Sequence, residues 1–203
     1  MNYSPKKFDL ILVDLQEKLC INWKSEFSAF DNVRVHNGYF QEISHYDCIV
    51  SPANSFGLMD GGIDLAIRNY FGMQLQYAVH KVILKEFYGE QPVGSSVIVE
   101  TADENHPFLA HTPTMRVPKN ITQTDNVYNA MFAMLRAVAN HNKSNHYKIK
   151  TVLCPGLGTA TGNVPLKEAA RQMALAYKNF LKPTRNLVWK NLIHRDQEIT
   201  GSK

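Results

Sequence analysis

The chain has 203 residues, 44% of them hydrophobic, and a formal net charge of +4, enough for one well-buried core and short for two. That composition excludes the disordered and collagen-like classes, and no apolar run approaches the roughly 20 residues that cross a bilayer. The mild positive charge comes without a lysine/arginine block, so an anionic ligand suits the chain while nucleic acid has no strong signal.

Phe8 to Val13 reads as a first strand. Lys6 and Lys7 precede it, but the run is about six residues long and is broken by Asp14, too short for a signal-peptide core. The expectation is a cytoplasmic protein. Cys20, Cys48 and Cys154 are odd in number and lie far apart in apolar surroundings, which predicts buried free thiols.

Gln16 to Phe30 predicts a helix with some irregularity at Asn22-Trp23, and Val33 to His36 a second strand ended by Asn37-Gly38. Asp47 to Val50 is a buried strand, followed by Ser51-Pro52-Ala53-Asn54, a turn with Gly57, and the pair Gly61-Gly62. Ile63 opens an amphipathic helix, broken near Gly72 and running on to about Tyr88, with Gly89 as its stop. Ser96–Glu100 and Pro107–His111 predict a β-pair around the polar turn Ala102 to Asn105. The loop Thr112 to Asn120 contains two prolines and cannot be regular helix.

Thr124 or Asp125 caps a helix whose apolar face is Val127, Met131, Met134, Leu135 and Val138. Lys150 to Cys154 is a strand, Pro155 to Pro165 a glycine loop, and Leu166 to Leu181 a last helix with Pro165 in its first turn. Val188 to Ile193 reads as a final strand, and the tail from Arg195 as polar and frayed. Strands alternating with helices predict a single three-layer α/β/α domain over residues 1–203 around a mixed, mostly parallel sheet.

Two of these loops carry chemistry. Each leaves the C-terminal end of a predicted strand, where open α/β sheets bind ligands, and each leads into a helix N-terminus, which favours an anion. Gly61-Gly62 in the first, and Gly156, Gly158 and Gly162 with Thr159 and Thr161 in the second, permit close backbone approach. The second is no P-loop, because no Gly-Lys-Ser/Thr follows. Two such cradles on one edge suit a pyrophosphate, and hence a nucleotide-like ligand.

The order Asp47-Cys48-Ile49-Val50, Ser51-Pro52-Ala53-Asn54, Asp60-Gly61-Gly62-Ile63, with the later loop Pro155 to Pro165, resembles the macro domain family across roughly residues 32 to 182. The resemblance implies the macro-domain fold and binding of ADP-ribose or an ADP-ribosylated substrate. By that resemblance Ala53, Gly61, Gly62 and Ile63 meet the ligand on one side, and Gly156, Leu157, Gly158, Thr159, Ala160, Thr161 and Gly162 wrap the other. Asn54 and Asp64 match positions that activate or hold a water near the distal ribose in the de-ADP-ribosylating members, and a carboxylate there suits a general base. His111 with Asp64 is similar to the His–Asp pair of members that remove the 1''-phosphate of ADP-ribose; His36 competes for that role, His80 is a weaker candidate, and Arg116 is a candidate anion contact.

The chain also departs from the family. Ser51 stands at the first Asn of the turn, and Gly38-Tyr39-Phe40 replaces the Gly-Asp-Ile whose Asp holds adenine, so Tyr39 or Phe40 is expected to stack on the base or that contact to come from elsewhere. The βα unit at residues 8–31 and the stretch 112–118 mark a divergent branch. Three readings stay open: a hydrolase of an ADP-ribosyl bond or of ADP-ribose 1''-phosphate, a non-catalytic nucleotide-binding module, and a scaffold. No motif calls for a metal or a further cofactor.

Overall fold

The computed structural model describes residues 8–201. In chain order the elements are β1 (Asp9–Asp14), α1 (Glu17–Glu26), β2 (Val33–Asn37), a 3-10 turn at Phe40–Glu42 and β3 (Cys48–Ser51). Helices α2 (Gly62–Phe71) and α3 (Met73–Phe87) follow, then β4 (Val97–Glu100) and β5 (Phe108–His111). The last elements are α4 (Asn126–Ser144), β6 (Thr151–Pro155), α5 (Leu166–Leu181) and α6 (Trp189–Thr200).

One six-stranded sheet has the order β2-β1-β6-β3-β5-β4. Every neighbouring pair is parallel except β4–β5, the antiparallel hairpin expected from sequence. Successive strand residues point to opposite faces, and both faces are covered. Leu10, Leu12, Cys48, Val50, Val152 and Cys154 pack with Leu19 and Trp23 of α1, Met131 of α4 and Met173 of α5. Ile11, Val13, Ile49, Leu109 and Leu153 pack on the other face with Ile67 of α2 and Val79 and Ile83 of α3. The three layers are therefore α1/α4/α5, sheet, and α2/α3, as the alternation of strands and helices predicts. All three cysteines are buried free thiols.

The N-terminal βα unit is not an appendage. β1 inserts between β2 and β6, with Leu10 opposite both Val33 and Val152. Because β6 lies between β1 and β3, the C-terminal ends of these three strands converge on one edge, where the two glycine loops and Asp14 meet.

Three expectations need correction. Val188–Ile193 is not a strand: Trp189–Thr200 forms α6, which takes in the tail expected to fray from Arg195 as far as Thr200. Arg171 donates to the carbonyls of Glu198 and Ile199, and Arg195 reaches the Tyr128 hydroxyl, so side-chain contacts dock a helix that buries none of its residues. Helix α1 ends at Glu26 and runs through Asn22-Trp23 unbroken, because the fully buried Trp23 anchors it to the sheet. The break at Gly72 occurs as expected; its φ of +92° sits in the left-handed region that glycine enters without a Cβ clash. Among the described residues no helix is long and apolar enough to cross a membrane.

Candidate functional site

The first loop is built on Asn54. Its side-chain oxygen accepts the N–H groups of Phe56 (3.0 Å) and Leu58 (3.3 Å), and its amide donates to the Leu58 carbonyl (2.7 Å). These bonds close residues 54–58 into a compact turn. The proline-containing stretch after β5 runs beside it, with Thr114 N–H bonded to the Ala53 carbonyl and Ser55 N–H to that of Arg116. Helix α2 then begins with Gly61 at its N-cap and no side-chain cap, so its first N–H groups are open to a ligand. A Cβ built on Gly61 or Gly62 meets nothing within 4 Å, so the backbone here borders open space.

The second loop is tighter. Gly158 has φ +70°, and its carbonyl accepts the Val164 N–H at 3.0 Å, folding the loop back on itself. Gly156 donates its N–H to Asp14 Oδ2 at 3.3 Å, and Gln16 donates to Oδ1 at 2.9 Å. The carboxylate at the end of β1 thus braces the loop that follows β6.

Between the loops lies a cleft of about 120 Å³ bordered by Ala53, Asn54, Asp60–Asp64, Thr114, Met115, Pro118, Gly156 and Gly158–Gly162. It opens past Gly62, Ile63 and Thr159 into a hollow of about 430 Å³ lined by Asp14, Leu15, Tyr39, Phe40 and Pro155. The combined groove has an apolar part carrying the Asp14 carboxylate, a glycine-rich waist shared by both cavities, and a further part bordered by Asn54, Asp60 and Asp64.

Asp64 lies in the first turn of α2 and is only 8% exposed. Its Oδ1 accepts the hydroxyl of Ser51, the last residue of β3, at 2.7 Å. Burial raises its pKa from 3.8 to about 6; the Ser51 hydrogen bond opposes that rise and the negative charge of Asp60 adds to it. A carboxylate titrating near pH 6 at the border of a cleft can take a proton from water.

The cleft and hollow bring together most of the residues singled out from sequence: Asn54, Asp64, Ala53, Gly61, Gly62, Ile63, Gly156, Gly158, Thr159, Ala160, Thr161, Gly162, Tyr39 and Phe40. Leu157 is absent from the lining because its side chain is fully buried in the core. His111 is placed apart as well. It is fully buried, and its Nδ1 pairs with Gln91 Oε1 at 2.7 Å behind the first loop. Burial, with His80 second, pushes its pKa down to about 3, which keeps the imidazole neutral.

The competing side chains are also engaged: His36 with Glu42 (2.7 Å), His80 with the Gly57 carbonyl (3.0 Å), and Arg116 with Glu90 (2.6 Å). Sequence reasoning treated Asp14 only as the break in an apolar run. A carboxylate ending a buried strand at the ligand edge was the signal that would have found it. Among the described residues no group of three or more His, Cys, Asp or Glu is placed to hold a metal ion.

The family model for the macro domain matches residues 50–173, more than half of the chain and both glycine loops. The chain belongs to the macro domain family. An uncharacterized protein of Aquifex aeolicus is 32% identical over 150 residues, covering 73% of this chain and 82% of its own length. The fold also matches the macrodomain of Mycobacterium tuberculosis DarG, with a TM-score of 0.59 and 18% identity over 72% of this chain and 90% of that one. An Oceanobacillus iheyensis macrodomain solved with ADP gives a TM-score of 0.57 and 25% identity, covering 68% of this chain and 71% of that one. The inserted β1 and its Asp14 precede the matched region, so this macro domain carries part of its groove on an element outside it.

Proposed function

We propose that the groove binds ADP-ribose and that Asp64 makes the protein a hydrolase of an ADP-ribosyl bond or of ADP-ribose 1''-phosphate. In this reading the base enters the apolar hollow against Tyr39 and Phe40, where Asp14 accepts its exocyclic amine. The diphosphate lies between Gly61-Gly62 and Gly156–Gly162, held by backbone N–H groups and the uncapped start of α2. The distal ribose then reaches the end of the cleft at Asp64.

The observation that carries the reading is a buried carboxylate with a pKa of about 6 bordering a cleft walled by two glycine loops. Once a ligand fills the waist, bulk water is excluded and the ionised Asp64 orients one water. It accepts that water's proton as the water oxygen attacks the anomeric carbon of the distal ribose or the phosphorus of the 1''-phosphate. The bond to the departing protein side chain or to the 1''-oxygen breaks, and the proton on Asp64 passes to that leaving group. With His111 buried away from the cleft, proton traffic in the proposed reaction rests on Asp64.

A second reading, a binding module without chemistry, is favoured by Asn54. Its amide is consumed in closing the loop, and it serves there as a pin. Calorimetric titration with ADP-ribose, with ATP as control, tests the shared part: selective binding in the micromolar range, about −8 kcal/mol, is expected. Product release from an ADP-ribosylated protein and from ADP-ribose 1''-phosphate then separates the two. Binding without turnover of either substrate leaves the module, and no binding removes both.

A further inference from the structure

We infer that Ser51 is the positioning residue for Asp64, its hydroxyl fixing one carboxylate oxygen so that the other is the one presented to the cleft. The inference deepens the hydrolytic reading above and rests on it for its functional meaning. Ser51 is fully buried at the last position of β3 and does not border the cleft itself. Its backbone carbonyl is pinned twice, accepting N–H groups from Ala53 (2.9 Å) and Thr112 (3.0 Å), and β5 pairs the residue with His111. A hydroxyl held that firmly, donating to Asp64 Oδ1 at 2.7 Å across the start of α2, leaves the carboxylate little rotational freedom.

Oδ2 has no hydrogen-bond partner among the described residues, yet it is not an orphaned buried atom. With Asp64 bordering the cleft, Oδ2 is the accessible oxygen.

The pairing also has an electrostatic side. A hydroxyl cannot neutralise the carboxylate as an arginine or lysine would, so it orients Asp64 while leaving it basic. The charged and titratable groups around the pair are few. Asp60 precedes α2 and repels the ionised form, Arg68 lies one turn further along α2, and His111 on β5 is neutral and committed to Gln91. Among the described residues, Ser51 is the one side chain that donates to Asp64.

The test uses the full chain with carbon-13-labelled aspartate. The Asp64 carboxyl signal, assigned by its loss in Asp64→Asn, is followed with pH in the parent, Ser51→Ala and Ser51→Thr. Ser51→Ala is expected to move the titration midpoint up by about one pH unit and to move the acidic limb of the turnover profile with it. ADP-ribose affinity measured at pH 8 is expected to stay within about threefold. Ser51→Thr, which keeps the hydroxyl, restores both midpoint and profile. Where the alanine variant does not fold, Ser51→Cys supplies the weakened donor and the same upward shift. An unchanged midpoint in the folded alanine or cysteine variant overturns the assignment. If the parent turns over no substrate while its Asp64 midpoint still moves with Ser51, the hydrolytic reading fails and the positioning contact stands.

Discussion

Asp14 Oδ2 accepts the backbone N–H of Gly156 at 3.3 Å, joining the inserted strand β1 to the loop that follows β6. The same carboxylate holds the N–H of Gln16 and lines the apolar hollow. A carboxylate offers about four lone-pair sites, so it can brace the loop and still accept a ligand amine. Asp14→Ala is expected to weaken ADP-ribose binding about tenfold, the scale of one charge-assisted hydrogen bond. The parent should also prefer the adenine ligand over its hypoxanthine counterpart, which has a carbonyl where adenine has the amine. Calorimetry with both ligands checks this, and equal affinities in the parent would remove Asp14 from base recognition.

Asp64 has a stability consequence with a definite sign. Its pKa rises from 3.8 to about 6 on folding, so between those pH values the native state binds more protons than the unfolded chain. Its contribution to stability therefore falls as pH rises from about 4 to about 6 and stays lost above that. Asp64→Asn is expected to stabilise the protein at pH 7.5 by up to about 3 kcal/mol while lowering turnover, with little gain at pH 4. Urea unfolding at the two pH values measures it. An equal effect at both would mean that ionisation of Asp64 is not the cost.

Gly158 sits at φ +70°, and a Cβ there would lie 3.0 Å from Val127 Cγ2 and 3.1 Å from Ile121 Cδ1. Gly158→Glu drives a carboxylate toward these buried core side chains at a position where the backbone must stay left-handed, so the loop that forms the cradle has to shift. ADP-ribose affinity is expected to fall by about a hundredfold or more. Gly158→Ala carries the backbone strain without the charge and should lower the melting temperature while losing far less affinity. Glutamate binding as well as the parent would sink the cradle.

Asn54→Ala removes all three hydrogen bonds that close residues 54–58. The expected loss is about 1–2 kcal/mol of stability, seen as a lower urea midpoint at unchanged slope. Asn54→Asp keeps the acceptor for Phe56 and Leu58 and loses the donor to the Leu58 carbonyl, so it should fall between parent and alanine. If alanine instead leaves stability intact and cuts turnover, Asn54 contacts the reacting atoms.

The fold was legible where periodicity and punctuation agreed. The buried strand into Ser51, the paired glycines and the helix at Gly62 are marked by local signals that tertiary packing does not override. Strand order is different in kind. Nothing in Phe8–Val13 records that its neighbours are Val33–Asn37 and Thr151–Pro155, because parallel pairing is set by crossovers remote in sequence. Trp189 and Ile193 are four residues apart, a helical spacing, yet a short apolar run fits a strand equally well. His111 was drawn to the site by its place at a strand end, but every residue of β5 is buried, and burial on both faces leaves no side chain to the cleft. The Ser51–Asp64 contact joins residues from different elements, and sequence spacing alone does not show which face of α2 meets the end of β3.

The insertion of β1 also governs when the site can come into being. The Asp14–Gly156 bond spans 142 residues, and β1 is flanked on that side only by β6. During synthesis β1 must therefore wait, half-paired, until β6 has left the ribosome. Until then the braced second loop, and the base-binding end of the groove with it, has no partner to form against. A chain stopped before Thr151 would lack the strand that separates β1 from β3, so the pocket cannot assemble until β6 has been made.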